Sequence, residues 1–96
     1  MAEFDRYQIY SLLNQSQPLW LGAIDLSNAN LIGANLRGAV LLLANLSNAN
    51  LNVAHLEGAN LSGANLSGAS LGGATYNDST LWPAGFDPVA AGAIKV

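Results

Sequence analysis

The sequence places leucine, or another large apolar residue, at every fifth position over most of its length. An alanine stands two positions before most members of this series. Neither regular element keeps such a series on one side. Five residues turn an α-helix by ~140°, so the leucines would spiral around it, and a strand with its period of two sends successive members to opposite faces. The series consists of Leu26, Leu31, Leu36, Leu41, Leu46, Leu51, Leu56, Leu61, Leu66, Leu71, Tyr76, Leu81 and Phe86.

A four-sided coil satisfies the pattern. If each group of five forms one short extended side and a right-angled corner, roughly twenty residues close a coil, and coils stack at the ~4.8 Å spacing of paired strands. Each leucine and the alanine two residues before it then point inward, because alternate residues of an extended segment share a face. The sequence therefore predicts an all-β solenoid in which the series forms a core ladder.

The corners of this coil fall on the second residue after each leucine, which is mostly Gly or Asn. Both residues tolerate the positive φ that the third residue of a type II turn requires. Leu43, Val53 and Pro83 occupy the same position, where a β-branched residue is poorly suited and proline is excluded. We expect a different turn at these three corners. The stacked asparagines, such as Asn45 and Asn65, are expected to bond through their amides along the stack.

The units "ANLIG", "ANLRG" and "ANLSN" resemble the pentapeptide repeat family, whose unit reads A-(N/D)-L-x-x. The resemblance covers residues 24–86 and implies a right-handed quadrilateral β-helix, here of about three coils. The ending "TLWPAGFDPVAAGA" is similar to the ends of many such proteins, especially cyanobacterial ones. We expect three segments: an N-terminal helical cap and lead-in (1–20), the repeat β-helix (21–86), and a C-terminal cap and tail (87–96).

Both ends of a solenoid expose strand edges and core, so both need covers. Residues 2–14 are predicted to form a short helix over the first coil. At the other end, Asp87 is expected to cap a single helical turn that begins at Pro88 and ends near Gly92, with Phe86 and Trp82 closing the core.

One side of the coil is predicted to be unusually apolar on its outside, and such patches usually mark contacts. Either the N-terminal segment folds against it or another chain does, and the sequence leaves both interpretations open. At ~25 cal/mol per Å², burial of a few hundred Å² would sustain a weak homodimer. The candidate interaction patch is Trp20, Val40, Leu42, Leu43 and Trp82, with Ile32 and Val53 expected on the adjoining side.

No catalytic, cofactor-binding or metal site is predicted. His55 is the only histidine, the chain has no cysteine, and a convex coil offers no cleft. Glu57 lies two residues after His55 and points the same way, but it is twenty positions from Arg37. A surface salt bridge between Glu57 and Arg37 is therefore the preferred interpretation.

The charge distribution argues against direct nucleic-acid binding, because the net charge is −3 and the three basic residues are far apart in sequence. The sequence has no apolar run of the ~20 residues that a membrane span needs and no recognisable secretory signal. We expect a cytoplasmic protein.

The predicted function is a non-enzymatic structural or protein-interaction module with an unknown protein partner. The family resemblance raises one alternative, a DNA-mimic inhibitor of a DNA topoisomerase. Mimicry requires acidic groups arrayed like phosphates, whereas the outward acids here are scattered. Another alternative is a segment of a longer, stacked solenoid. The outward acids of the repeat region are Asp25, Glu57, Asp78 and Asp87.

Overall fold

The chain winds around a central axis and pairs with itself in parallel; the computed structural model describes residues 21–96. Successive bridges, from Asp25–Asn45 to His55–Thr75, join residues 20 positions apart. The bridges fall into four columns, so the fold is a four-sided β-solenoid. The columns define side 1 (Val40, Asn60, Leu81), side 2 (Asp25, Asn45, Asn65), side 3 (Asn30, Asn50, Ser70) and side 4 (Asn35, His55, Thr75).

Regular strands are short because every side ends at a corner after five residues. Strand β1 (Thr75–Tyr76) pairs in parallel with β2 (Ile94–Lys95), with Thr75 opposite Ile94. The C-terminal tail thus adds a rung to side 4. The described residues contain no helix, and the helix predicted at 2–14 lies outside them.

The core is the inward ladder of leucines with alanines beside them. Leu36, Leu41, Leu46, Leu51 and Leu56 are fully buried. Members of the ladder from Leu26 to Tyr76 are at most 8% exposed. Each fully buried leucine contributes about 1.5–3 kcal/mol relative to exposure, so the ladder dominates the stability of the coil.

In the inner repeats, four of the five backbone N–H groups bond to other backbone groups. In the repeat 44–48, the N–H groups of Leu46 and Asn48 donate to the next coil at 2.8 Å, and that of Asn45 donates to the preceding coil at 2.8 Å. The following repeat begins at Ala49, and the N–H of Ala49 donates to Leu46 O across the corner at 3.0 Å. The coils are therefore joined along the axis at every side.

The fifth N–H explains the asparagine of the repeat. The N–H of Ser47 donates to Asn45 Oδ1 at 3.1 Å, within the same side. Equivalent bonds recur in other repeats. The prediction that these amides bond along the stack is wrong, because the N–H two residues ahead is the nearer donor without a partner.

The corners at Leu43 and Val53 also depart from expectation. Both adopt positive φ, 62° and 53°, like the glycine and asparagine corners, so the prediction of a different turn is wrong there. The inter-coil bonds hold these residues in place: Leu43 N–H donates to Ser62 O at 2.9 Å and Val53 N–H to Gly72 O at 2.9 Å. The left-handed conformation costs about 1–2 kcal/mol for such residues, and the hydrogen-bonded stack outweighs it.

The count of five is broken once, after Tyr76. The bridge from Asn60 reaches Leu81, 21 positions on, and Thr80 instead of Ser79 takes the inward position of alanine. Thr80 is 8% exposed while Leu81 is 51% exposed. The prediction that Leu81 belongs to the core ladder is therefore wrong.

The extra residue moves Trp82 into the place expected for Leu81. Trp82 packs against the core. Its ring meets the Tyr76 ring edge-on, with 5.4 Å between the ring centroids, and stacks on the Phe86 ring, with 5.2 Å between the centroids. Its assignment to the exposed patch is wrong. It closes the core together with Phe86, which is partly buried. Because of the same shift, Pro83 does not occupy a positive-φ corner.

A single turn follows Asp87 and leads the chain back to side 4. The N–H groups of Val89 and Ala90 donate to Asp87 Oδ1 at 3.1 and 3.2 Å. Gly92 has φ 89°, and the N–H of Ala93 reaches back to Pro88 O at 3.0 Å. A glycine in this conformation is the usual end of a helical turn.

Candidate interaction surface

Side 1 carries most of the apolar side chains predicted to face outward. Leu42 is 42% exposed and Leu43 is 63% exposed, while Val40 is half-buried. Leu81, misassigned to the core by sequence, joins them on the outside. We call these four residues the apolar strip. Trp20, also predicted for this patch, lies outside the described residues.

The strip is confined to side 1. Ile32 and Val53 are exposed too, but they belong to the repeats of side 3, which is opposite side 1 in a four-sided coil. Their predicted position on an adjoining side is wrong, because two steps of five make half a coil.

The middle rung of side 1 is small and polar. Asn60, Ser62 and Gly63 separate the Val40–Leu43 rung from Leu81. None of these outward residues is charged. Side 1 therefore presents apolar, small polar and apolar rungs in succession.

The first residue of the strip lacks the side-chain acceptor that the repeat asparagine provides. Val40 occupies the position of the repeat asparagine, and the N–H of Leu42 has no acceptor within residues 21–96. A lost hydrogen bond of this kind costs about 0.5–1.5 kcal/mol. The next residue, Leu43, holds a positive φ that Gly or Asn would adopt more easily.

In the repeats of Ser70 and Thr75, which also lack the asparagine, the equivalent N–H bonds to another side chain. At Ser70, Gly72 N–H donates to Asn52 Oδ1 of the preceding coil at 2.8 Å. At Leu81 the equivalent residue is Pro83, which has no N–H. Two consecutive local costs at residues 40–43 thus stand out, and such departures from local preference are typical of functional surfaces.

Side 4 carries a polar network instead. Arg37 Nε lies 3.3 Å from Glu57 Oε2, which confirms the predicted salt bridge. The Thr75 hydroxyl donates to Glu57 Oε1 at 2.8 Å, and His55 Nδ1 lies 3.2 Å from Thr75 Oγ1. Since that hydroxyl has one hydrogen, its oxygen accepts from His55, which places the proton on Nδ1.

The network holds Glu57 ionised. Partial burial raises the pKa of its carboxyl, but the hydrogen bond from Thr75 and the charge of Arg37 outweigh burial, so the pKa lies below its ordinary value. The network links successive coils of side 4 rather than lining a cavity. Within residues 21–96, no three His, Asp or Glu side chains gather as a metal site would require.

The C-terminal end of the solenoid offers another surface. The N–H groups of Leu66, Gly68 and Leu71, which would reach the next coil, have no acceptor in the described part of the chain. A shallow groove lies between residues 64–67 of this edge and residues 83–86. Apart from the bond from Gly73 N–H to Gly92 O at 3.0 Å, the chain crosses the core end here without pairing with sides 2 and 3.

Comparison with known proteins identifies the family to which this four-sided solenoid belongs. The Pentapeptide repeats family profile matches residues 24–59 and 43–75, with 8 copies. These matches cover more than half of the chain. The chain belongs to the pentapeptide repeat family. A search of curated proteins gave no match.

Two crystal structures of pentapeptide repeat proteins are similar to this one. A protein from Nostoc Pcc 7120 is 40% identical, with a TM-score of 0.55 over 83% of this chain and 74% of its own. Rfr23, from the cyanobacterium Cyanothece 51142, is 47% identical, with a TM-score of 0.57 over 66% of this chain and 46% of its own. This chain therefore spans less than half of Rfr23.

Sequence reasoning missed that Leu81 of this pentapeptide repeat protein points outward. The sequence nevertheless contains a signal of it. Counting by five places Pro83 at a corner that needs positive φ, which proline cannot adopt. The conflict marks an inserted residue upstream.

No helix within residues 21–96 is long and apolar enough to cross a membrane.

Proposed function

We propose that this pentapeptide repeat protein is a non-enzymatic interaction module that binds a protein partner through the apolar strip on side 1. One observation carries the proposal. Val40 stands where most repeats have asparagine and leaves the Leu42 N–H without an acceptor among the described residues, and Leu43 stands at a positive-φ corner where most repeats have glycine or asparagine. Stability alone favours the repeat residues at both positions.

The alternative interpretation is that residues 1–20 of the same chain cover the strip. Those residues lie outside the described structure. The exposure of Leu42, Leu43 and Leu81 gives a partner three large aliphatic side chains to bury, each worth about 1.5–3 kcal/mol when fully covered.

A capture experiment with matched variants tests the proposal. Immobilised wild type is compared with Leu43→Asn and with Val53→Asn, which changes a similarly exposed corner with positive φ on the opposite part of the coil. Both variants introduce the residue that tolerates this conformation, so neither should unfold. We expect Leu43→Asn to lose the captured protein and Val53→Asn to retain it. Equal capture by all three proteins overturns the proposal.

The proposal includes several further features. We take the protein to be cytoplasmic, without cofactor or metal, and the coil to be right-handed, with about three turns. The convex sides support the proposal that the protein is not an enzyme, because a reaction site needs a cavity that excludes water.

The DNA-mimic alternative is disfavoured by the charges. Glu57 pairs with Arg37, and Asp78 pairs with Lys95 at 2.5 Å, so two of the outward acids are neutralised. Asp25 lies on side 2, away from both pairs. An inhibition assay with a DNA topoisomerase tests this alternative directly.

The stacking alternative has its own observation in the unpaired edge at Leu66, Gly68 and Leu71. A further coil could add to sides 2 and 3 there. However, Phe86 and the neighbouring loop pack across the core end. We therefore place stacking second to binding through side 1.

A further inference from the structure

We infer that the partner of the apolar strip is a second copy of this chain, packed side 1 against side 1 about a two-fold axis through the Asn60 rung. The inference rests on the proposed function, since it uses the same surface. It goes further by fixing the partner, the symmetry and the central residue.

The order of rungs on side 1 carries the symmetry. Along the axis the outward residues are large and apolar at Val40 and Leu42, small and polar at Asn60 and Ser62, and large and apolar again at Leu81. Over these three rungs the pattern reads the same in both directions, and the described residues of the rung that precedes Val40 expose only the small Gly22 and Ala23. A two-fold rotation there places the Val40 rung of one copy on the Leu81 rung of the other, as an isologous interface requires.

The middle rung suits a position on the axis. Asn60 and Ser62 are both half-buried, and the Asn60 amide nitrogen is left to donate across the interface because its Oδ1 already accepts from Ser62 N–H at 3.0 Å. Each copy therefore offers both a donor, the amide nitrogen, and an acceptor, the Ser62 hydroxyl, at the centre.

Charge favours a copy over a foreign partner. The chain carries a net charge of −3, so two copies repel each other wherever charged surfaces meet. Side 1 has no charged outward residue, whereas Asp25 lies on side 2 and the Arg37–Glu57 pair on side 4. An uncharged face neither repels its own copy nor steers an oppositely charged protein to it.

The size of the face predicts weak association. An extended side of about three residues is ~10 Å wide and a few rungs at ~4.8 Å are ~15–20 Å tall, which gives about 200 Å² of flat surface per copy. Standard interfaces bury ~800 Å² per partner. We therefore expect a dimer in rapid exchange with monomer, with a dissociation constant of about 0.1–1 mM.

Sedimentation equilibrium over a concentration series tests the association. The wild-type mass should rise from 9.9 kDa towards twice that value as the concentration approaches ~1 mM. Leu42→Ser and Leu81→Asn place the polar residues common at these repeat positions and should stay monomeric. Val53→Asn, on the other side of the coil, should associate like wild type.

Cross-linking tests the axis. The chain has no cysteine, so Asn60→Cys introduces a single thiol that the two-fold axis brings next to its symmetry mate. Asn50→Cys on side 3 is the matched control, because it loses the same type of bond, from Asn52 N–H at 3.1 Å. We expect Asn60→Cys to form disulfide dimers at least tenfold faster than Asn50→Cys.

The outcomes separate this inference from the proposed function. A wild type that stays monomeric up to ~1 mM overturns self-association, and equal cross-linking of the two cysteine variants overturns the two-fold axis through the Asn60 rung. If capture of another protein still depends on Leu43, the interaction module stands and only the identity of the partner is wrong. If the strip affects neither association nor capture, both fail and residues 1–20 become the candidate cover.

Discussion

The Leu43 side chain lies directly over Gly63 of the next coil: a Cβ built on Gly63 would fall 2.6 Å from Leu43 Cδ2. Val53 stands over Gly73 in the same way, where the corresponding distance to Val53 Cγ1 is 3.0 Å. Large corner residues are thus followed, one coil later, by glycine. This alternation lets non-glycine corners exist in a stack whose rungs are closely spaced.

Substituting Gly63 by alanine should be destabilising. Gly63 has φ 69°, so Gly63→Ala adds both left-handed strain and the overlap with Leu43. We expect a loss of about 1–2 kcal/mol in the free energy of unfolding from strain, with a smaller addition from the overlap, because Leu43 Cδ2 is the end of an exposed side chain that can rotate. Urea unfolding measures this loss.

The control is Gly33→Ala, because Gly33 has nearly the same φ, 68°, but no atom within 4 Å of its added Cβ. It should lose only the strain. Because Leu43→Gly also relieves the strain of Leu43 itself, the double variant is compared with Leu43→Gly alone, and in that background Gly63→Ala should cost only its own strain. Equal losses for the two single alanine variants would show that the Leu43 contact has no energetic weight.

Restoring the repeat residue at position 40 should stabilise the monomer. In Val40→Asn the new Oδ1 can accept from the Leu42 N–H, as Asn45 does from Ser47. We expect a gain of about 0.5–1.5 kcal/mol, measured as a raised urea midpoint at a concentration where wild type is monomeric. Ser70→Asn is the control without gain, because the N–H of Gly72 already bonds to Asn52. An unchanged or lower midpoint for Val40→Asn would contradict the account of the asparagine.

The five-residue series predicted the core from Leu26 to Tyr76, because burial of one large side chain per side leaves a periodic trace. It could not show how Leu43 is held, since the bonds that impose its positive φ come from Ser62 in another coil. Such tertiary constraints override local preference. The apolar strip was partly predictable for the same reason, with Val40, Leu42 and Leu43 in outward positions.

The misassignment of Leu81 has a different cause. The five-residue period does not reveal a single inserted residue when the residue at the expected position and the one after it are both apolar. Here these two residues are Leu81 and Trp82. Pro83 decides between the frames, because it fits a position whose N–H is not needed. Proline and the buried polar Thr80 thus specify the last coil better than the leucine does.

The hydroxyl of Thr80 should be essential at this insertion. It donates to Leu56 O at 2.9 Å and accepts from the N–H groups of Asn77 and Gly58 at 3.1 and 3.2 Å. Thr80→Val keeps the volume but removes these bonds. The Asn77 N–H then lacks an acceptor, while Gly58 N–H keeps Asn77 Oδ1 and Leu56 O keeps the N–H of Ala59, both at 3.0 Å. We expect a loss of about 1–3 kcal/mol in unfolding free energy, measured by urea denaturation. Ser79→Ala, at the neighbouring exposed position, should be near neutral, and a similar loss for both variants would argue against this role.

The Glu57 network should make stability depend on pH in the acid range. The pKa of Glu57 is lower in the folded chain than its ordinary value, so the folded state binds the proton less well than the unfolded state. The stabilisation is therefore complete above the ordinary glutamate pKa of about 4.3 and is lost as the pH falls through the lower folded value. Glu57→Gln mimics the protonated form at every pH. We expect wild type to exceed Glu57→Gln in urea midpoint at pH 7 and the difference to shrink steadily below pH ~4. A difference that stays constant down to pH ~2 would show that the carboxylate charge contributes nothing to holding side 4 together.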